Sequence, residues 1–267
     1  MITYKIPFVV DEHKHIGPIV EREKAIETRI KSIWSNAQLN ESDAFGFELR
    51  VAHKLSEGNH YDQPATTLPR YRRFFLRPAV EPIIKSYEQV YESEGPSIIL
   101  LQNLSSALTG NQQKIRDKRC FTKLRQDVRR EYLDPREVRH ALIGHKSGRL
   151  ETCERPLQRA IYRFLDITTI HPFMDGNGRT CRALLRYDIK QFLQLHSTPL
   201  LPLGPYMYYY SSSLMESYEK ISQEGNSVLF IETMLNILDK AIDDFRRLSV
   251  RSESSLIHAG ASVSGNA

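Results

Sequence analysis

The residues of this chain that are best suited to chemistry lie close together, between Ile170 and Arg182. The segment reads Ile-His-Pro-Phe-Met-Asp-Gly-Asn-Gly-Arg-Thr-Cys-Arg. Within it, Gly176, Asn177 and Gly178 permit a tight turn and a close approach of the backbone to a ligand. The turn stands where a helix is expected to begin, so several N–H groups there lack partners and can hold an anion. The segment therefore predicts an anion-binding turn.

Cationic side chains follow this turn directly. Arg179 and Arg182 are three residues apart, so they are expected to project from the same face of the first helical turn, with Arg186 one turn further on. Guanidinium groups beside a nest of backbone amides form a clamp for a polyphosphate. Asp175 precedes the turn, and a lone carboxylate in this setting suits a Mg²⁺ ion that also binds phosphate oxygens.

A candidate base stands at the other end of the segment. His171 is the only side chain there that accepts a proton near neutral pH. Phe173 is expected to face the core and to anchor the loop. Each feature alone is ordinary at a helix boundary, but their combination predicts transfer of a nucleotide or a phosphoryl group. The expected acceptor is a hydroxyl that His171 deprotonates.

Two amphipathic helices must position this segment. One begins near Pro156 and ends before His171, and the other begins near Gly178 and buries a stripe of apolar side chains. Helical spacing elsewhere predicts a mainly helical, all-α protein. The further helical windows are 20–36, 43–56, 82–93, 97–109, 119–133, 135–143, 205–222 and 227–248. The Ser-, Gly- and Ala-rich tail, residues 249–267, is expected to be disordered.

Composition narrows the class of protein. The chain has 267 residues with 26% charged and 40% apolar side chains, which excludes collagen-like and fully disordered classes. No apolar run is long enough for a transmembrane helix, and the N-terminus lacks the pattern of a signal peptide. Cys120, Cys153 and Cys181 are odd in number and far apart, which indicates reduced thiols. We therefore expect a cytoplasmic protein, which leaves open its delivery into another cell.

The segment from His171 to Arg182 resembles the complete signature of the Fic-domain family, H-P-F-x-D/E-G-N-G-R-x-x-R. The resemblance covers roughly residues 95–245 and implies an all-α, Fic-type helical bundle. It divides the chain into an N-terminal helical extension of unknown role at 1–94, a Fic domain at 95–248 and the tail at 249–267.

The resemblance also implies an activity and its residues. Fic proteins mostly transfer AMP from ATP to a Ser, Thr or Tyr hydroxyl of a target protein and release pyrophosphate. By this likeness His171 is the general base, and Asp175 holds Mg²⁺ between the α- and β-phosphates. The turn formed by Gly176, Asn177 and Gly178 cradles the α-phosphate. Arg179 and Arg182 bind the β- and γ-phosphates.

Family variants help to choose among transferred groups. Kinases of the Doc type carry Lys in place of the second motif glycine, here Gly178, and the phosphocholine-transferring type carries Ala in place of the first, here Gly176. Both glycines are present, which favours nucleotidyl transfer, with UTP and GTP remaining alternatives to ATP. The inhibitory pattern S/T-x-x-x-E-G/N of many Fic proteins has no match. Inhibition would then come from a separate, antitoxin-like protein or be absent. The target-docking flap of the family is placed at 110–122.

A basic segment offers a competing interpretation. Residues 114–130 contain eight Lys or Arg against two Asp, and residues 70–75 mix basic and aromatic side chains, as in nucleic-acid-binding surfaces. A solvated helix face explains the first stretch better, so nucleic acid is not the favoured partner. The basic flank could equally dock an acidic target protein, or the chain could be a binding module without catalysis.

Overall fold

The computed structural model describes residues 2–5, 17–34, 97–125, 128–144, 155–196, 199, 201 and 203–261. Most of these residues are helical, which confirms the prediction of a helical fold. Within the described ranges, no helix is long and apolar enough to cross a membrane. The predicted helices at 43–56 and 82–93, and Cys153, lie outside the described residues.

The helices follow the predicted order along the chain. Their bounds are α1 Gly17–Trp34, α2 Ile98–Thr109, α3 Pro135–Gly144, α4 Pro156–Ile170, α5 Asn177–Leu193, α6 Leu203–Tyr209, α7 Ser211–Glu224 and α8 Val228–Ala261. The single helix expected over 205–222 is two helices, α6 and α7, which meet at Tyr210. Helix α8 continues to Ala261, so the tail expected to be disordered from residue 249 is helical over 249–261. Extending an existing helix needs no new nucleus, and residues 249–259 contain neither Gly nor Pro.

The predicted basic helix at 119–133 is wrong, because this stretch forms a β-hairpin. Strand β2, Phe121–Arg125, pairs antiparallel with β3, Val128–Glu131. An N-terminal strand β1, Ile2–Lys5, pairs parallel with β3 and completes a sheet of order β1-β3-β2. A helix here would place like charges four residues apart, as at Arg125 and Arg129, and would lack an apolar stripe.

Helices α4 and α5 pack against each other more extensively than any other pair of described elements. Their buried side chains, such as Ile161, Leu185 and Ile189, share one core with the apolar face of α8. A buried ion pair between Arg163 and Asp188, 2.9 Å apart, also joins the two helices. The loop between α4 and α5, residues 171–176, is therefore suspended between the two best-packed helices.

Helix α1 belongs to the same core. Its side chains Ile26, Ile30 and Trp34 are fully buried, and Trp34 packs on Phe245 of α8 with ring centroids 4.8 Å apart. Arginines on α1 pair with acidic residues of α8, among them Arg29 with Asp239. A domain boundary at residue 94 stays a prediction.

Helix α1 also caps the start of α4. The Glu27 carboxylate accepts a hydrogen bond from the Leu157 backbone N–H at 3.1 Å, which satisfies one of the orphan donors at that helix end. Glu23 is buried beside Arg155 at 2.8 Å, and burial raises the pKa of its carboxyl to about 7. The N-terminus of α4 is thus fixed by α1, and its C-terminus carries His171.

Candidate active site

His171 stands directly after α4 in a left-handed conformation, with φ 51° and ψ 61°. Its N–H donates to the Ile167 carbonyl at 2.9 Å, which closes the helix. A left-handed backbone costs an ordinary residue about 1–2 kcal/mol, so neighbouring groups must hold this conformation. Pro172 follows and blocks continuation of the helix.

Arg116 supplies much of that support from outside the motif. Its side chain is buried, and its Nε donates to the His171 carbonyl at 2.7 Å. The remaining guanidinium N–H groups donate to the carbonyls of Ile170 at 3.2 Å, Lys118 at 3.0 Å and Leu133. One cation therefore satisfies two carbonyls at the C-terminus of α4, where the helix dipole favours positive charge.

The imidazole of His171 is covered by the β-hairpin. The Tyr132 ring stacks on it with centroids 3.6 Å apart and planes 16° apart. The Tyr132 hydroxyl shares a hydrogen bond with the Thr122 hydroxyl at 2.7 Å. Beside them, the buried Arg130 lies between two aromatic rings, 4.9 Å from the Tyr132 centroid and 3.9 Å from that of Tyr218.

This environment keeps His171 neutral. Burial, followed by the positive charges of Arg130 and Arg116, lowers the pKa of the imidazole to about 3. The Thr168 backbone opposes the shift but makes no well-formed hydrogen bond with the buried Nδ1. A neutral imidazole can accept a proton, so at neutral pH His171 is in the protonation state that a general base requires.

The loop after His171 is closed by one side chain. The Asn177 Oδ1 accepts from the Phe173 N–H at 3.0 Å, and its Nδ2 donates to the Phe173 carbonyl at 2.7 Å. The Phe173 ring is fully buried, as expected of an anchor. Because both ends of the Asn177 amide are engaged, its backbone N–H is the group left to face an anion in this conformation.

The first glycine of the turn is required by both backbone and space. Gly176 has φ +84°, and a Cβ there would lie 2.5 Å from Thr109 Cγ2 and 2.9 Å from Ser105 Oγ. The turn therefore sits directly against the C-terminal part of α2. At Gly178 a Cβ would lie 3.2 Å from Arg182 Nη1, so this glycine leaves room for a guanidinium.

Asp175 and Arg179 are paired with each other at the mouth of the turn. Asp175 Oδ2 lies 3.1 Å from Arg179 Nη2, and the Asp175 side chain is 71% exposed. Its Oδ1 accepts from the Gly176 N–H at 2.7 Å. Arg179 also donates to the Leu108 carbonyl at the end of α2, at 2.8 Å. Arg179 must turn away from Asp175 in order to bind a phosphate.

The carboxylate of Asp175 fits a shared divalent cation. In the part of the chain that the structure describes, no cluster of three or more His, Cys, Asp or Glu could hold a metal ion. Mg²⁺ commonly binds through one or two carboxylates together with substrate phosphates and water. An exposed single carboxylate beside an anion-binding turn has the chemistry for that arrangement.

The two arginines further along α5 have different environments. Arg182 is partly exposed, lies beside Gly178 and Gly204, and keeps its charge although burial lowers its pKa to about 10. Arg186 is buried and donates to the Leu201 carbonyl at 2.8 Å. Arg186 therefore holds the segment before α6, and the predicted extension of the cationic face ends at Arg182.

The part of the chain that builds this site is similar to a known protein family. Residues 97–187 match the model of the Fic/DOC family. This segment is therefore similar to a Fic domain. Fic proteins are in general transferases that use nucleoside triphosphates with a divalent metal, and the Fic/DOC family includes toxin–antitoxin modules and target-modifying proteins.

Solved Fic structures share the fold at low sequence identity. A Fic family protein from Desulfovibrio desulfuricans G20 aligns with TM-score 0.57 and 16% identity over 90% of this chain and 76% of its own. Fic-1 (residues 134–508) from C. elegans gives TM-score 0.55 and 16% identity over 89% and 74% of the two chains. A Fic domain containing signaling protein from Bacteroides thetaiotaomicron gives 0.51 and 14% over 84% and 96%. No curated protein sequence matches the chain.

Proposed function

We propose that this Fic-domain protein is a nucleotidyltransferase that moves AMP from ATP to a Ser, Thr or Tyr hydroxyl of a target protein and releases pyrophosphate. One observation carries the proposal. A neutral histidine and a helix-start anion site are held at the two ends of one loop, which the Asn177 side chain closes onto the Phe173 backbone. A base and a phosphate site at fixed separation are what in-line attack of a hydroxyl on a phosphate requires.

The reaction assigns a role to each group. His171 takes the proton of the target hydroxyl as its oxygen bonds to the α-phosphorus. The bond from the α-phosphorus to the bridging oxygen breaks, and pyrophosphate leaves. The backbone amides of Asn177 and Gly178 face the α-phosphate, joined by that of Gly176 once Asp175 releases it. Arg179 and Arg182 bind the β- and γ-phosphates.

Asp175 would hold Mg²⁺. When bound, the ion neutralises part of the charge on the phosphate oxygens. Arg179 is then free to leave Asp175 for the nucleotide. Binding of the metal at Asp175 would thus release Arg179, so metal binding and triphosphate binding would favour each other.

The test uses ATP labelled at one phosphate. The protein is incubated with Mg²⁺ and candidate cell lysates, with ATP carrying the label at either the α- or the γ-phosphate. We expect label on protein only from the α position. His171→Ala should abolish it, since general base catalysis contributes about 10²–10⁴-fold. His196→Ala, at an exposed position beyond α5, is the matched control and should leave transfer unchanged.

The same assay separates the competing reactions. Transfer of the γ label would mean phosphoryl transfer, and label from UTP or GTP in place of ATP would change the nucleotide. No transfer from any nucleotide would exclude the enzymatic proposal. Mass spectrometry of the labelled proteins then identifies the target, and a purified partner that suppresses labelling would be the antitoxin-like inhibitor. A cytoplasmic location stays a prediction from the sequence.

Nucleic-acid binding loses part of its support. Arg116 and Arg130 supply two of the eight cations in the basic segment, and both side chains are buried. Their charge acts on the end of α4 and on His171, not on a surface ligand. The β-hairpin at 121–131, which overlaps the segment expected to be the flap, lies beside His171. We therefore assign it to target docking in preference to nucleic acid.

A further inference from the structure

Two residues of the segment 116–132 contact His171, and neither of them belongs to the motif. Arg116 lies before β2 and reaches the His171 backbone, while Tyr132 follows β3 and reaches the imidazole. We propose that both are positioning residues for the base: Arg116 fixes the backbone from which the imidazole projects, and Tyr132 fixes the plane of the ring. The inference rests on the proposed role of His171.

The ring contact restricts a torsion that is otherwise soft. The second side-chain torsion of histidine has a broad energy profile, so an imidazole without contacts samples many orientations. A parallel ring 3.6 Å away removes that freedom. Tyr132 is itself held, since its N–H donates to the Cys120 carbonyl at 3.2 Å and its hydroxyl bonds to Thr122. The orientation of the base therefore depends on the β-hairpin.

The backbone contact restricts the other end of the side chain. Arg116 Nε bonds to the carbonyl of His171, and its guanidinium also bonds to that of Ile170. The Arg116 N–H adds a bond to the Pro172 carbonyl at 2.9 Å. Three consecutive carbonyls around the left-handed residue are thus fixed by one side chain and its own backbone. A lysine could keep the charge but could not reach all of them, because it lacks the planar fork.

The groups around the imidazole come from several elements. Arg116 approaches from the chain before β2, and Arg130 and Tyr132 from β3. On α7, Tyr218 covers Arg130, and on α5 the buried Cys181 thiol is neutral because burial raises its pKa to about 11. Two cations, Arg116 and Arg130, therefore act on the imidazole, and the Tyr132 ring limits the access of water to it. Removing the Tyr132 ring should therefore admit water and make His171 easier to protonate.

Three variants on the β-hairpin test this. Tyr132→Leu removes the ring, Tyr132→Phe keeps it, and Phe121→Leu removes an exposed aromatic ring of the same hairpin as a matched control. The probe is the imidazole Cε1–H resonance of His171, identified by its loss in His171→Ala. We expect no titration of wild type, Tyr132→Phe or Phe121→Leu above pH 5. In Tyr132→Leu the midpoint should rise by at least one pH unit.

Kinetics provide the second measurement. For Tyr132→Leu we expect kcat for label transfer to fall at least tenfold while KM for ATP stays within twofold. The described contacts of Tyr132 are with His171, Thr122, Cys120 and Arg130, and none belongs to the anion-binding turn. Tyr132→Phe should restore kcat. Arg116→Lys should lower kcat with the same unchanged KM.

The outcomes that overturn the inference are distinct from failure of the proposed function. An unchanged His171 midpoint and unchanged kcat in Tyr132→Leu would overturn it, as would a rise in KM that accounts for the whole loss. If wild type transfers no nucleotide, the proposed function fails and the resonance titration alone decides the positioning of the ring. If Tyr132→Leu does not fold, Tyr132→Met replaces it, since it also removes the ring that stacks on His171. An unshifted midpoint in a folded Tyr132→Met protein then counts against the inference.

Discussion

The base and the anion-binding turn lie on one loop but are held in opposite ways. His171 is covered by an aromatic ring and fixed by a buried arginine that lies 55 residues away in sequence. Asp175 is 71% exposed, and its partner Arg179 is four residues away. The base is thus covered by side chains from outside the motif, whereas Asp175 and Arg179 at the mouth of the turn are paired with each other. His171 is therefore positioned before any substrate binds, whereas Asp175 and Arg179 can exchange each other for a metal ion and a phosphate.

This difference has consequences for substitutions. Residues that support the base also hold α4 to the hairpin, so their loss should destabilise the fold. Residues at the mouth of the turn contribute little to the fold, so their loss should affect binding alone. The free energy of unfolding should therefore fall most for changes beside the base and least for changes at the mouth of the turn.

Arg116→Leu should have the largest effect and lower the free energy of unfolding by about 3–5 kcal/mol, because each buried carbonyl left without a donor costs about 1–3 kcal/mol. Urea unfolding measures it. Arg119→Leu is the matched control, since the Arg119 side chain is 71% exposed, and it should stay within about 0.5 kcal/mol of wild type. Equal losses of unfolding free energy in the two variants would show that Arg116 does not support the base as described.

Gly176→Ala should have the next largest effect and lower the free energy of unfolding by about 2–4 kcal/mol. The alanine would have to adopt a left-handed backbone, and its Cβ would overpack against α2. The added Cβ would meet Thr109 Cγ2 at 2.5 Å, so the double variant with Thr109→Ser should recover part of the loss. Gly17→Ala, with nothing within 4 Å of the added atom, serves as the control and should be nearly neutral. No recovery in the double variant would assign the whole cost to the backbone.

The covered base should also make stability depend on pH. The pKa of His171 is lowered from 6.5 to about 3 in the fold, so the unfolded chain takes up its proton first, and stability falls as pH drops from 6.5 towards 3. At pH 5 this amounts to about 2 kcal/mol. His171→Gln should remove that part of the loss. Unfolding curves at pH 7.5 and pH 5 for both proteins measure the difference, and parallel losses would show that the imidazole is not covered in solution.

Asp175→Asn should be the mildest change to the fold, below about 0.5 kcal/mol, because exposed ion pairs contribute little. Its effect should appear instead in the Mg²⁺ concentration needed for half-maximal label transfer, which we expect to rise at least tenfold. Glu137→Gln, on the exposed surface of α3, is the control for loss of a carboxylate. Unfolding by Asp175→Asn would mean that the anion side is structural after all.

The sequence predicted the residues of the site that are neighbours in the chain. His171, Asp175 and the turn are contiguous, so periodicity and turn chemistry place them together without knowledge of the fold. The same holds for Phe173, which was expected to face the core and whose ring is fully buried. Helices α4 and α5 were recognisable because their apolar stripes are strong.

Residues that support the base from a distance could not be found in this way. Arg116 and Arg130 sit in a stretch whose charge predicts a solvated helix, yet both side chains are buried in and beside a hairpin. Only tertiary pairing with α4 and α7 explains their burial, and periodicity carries no signal for it. For a similar reason the sequence could not show that the Asn177 side chain bonds to the Phe173 backbone and closes the loop.

Helix α1 bears on how the protein is made. Its Arg22 bonds to Asn236 and its Ser32 accepts from Arg246, contacts that span 214 residues of chain. Synthesis proceeds from the N-terminus, so α1 emerges early while its partners on α8 emerge late. Until α8 is made, Ile26, Ile30 and Trp34 of α1 lack the surface that buries them. Ribosome-bound chains stopped before α8 should thus present an apolar helix to chaperones, and the core that α1 shares with α8 should close only after α8 has been made.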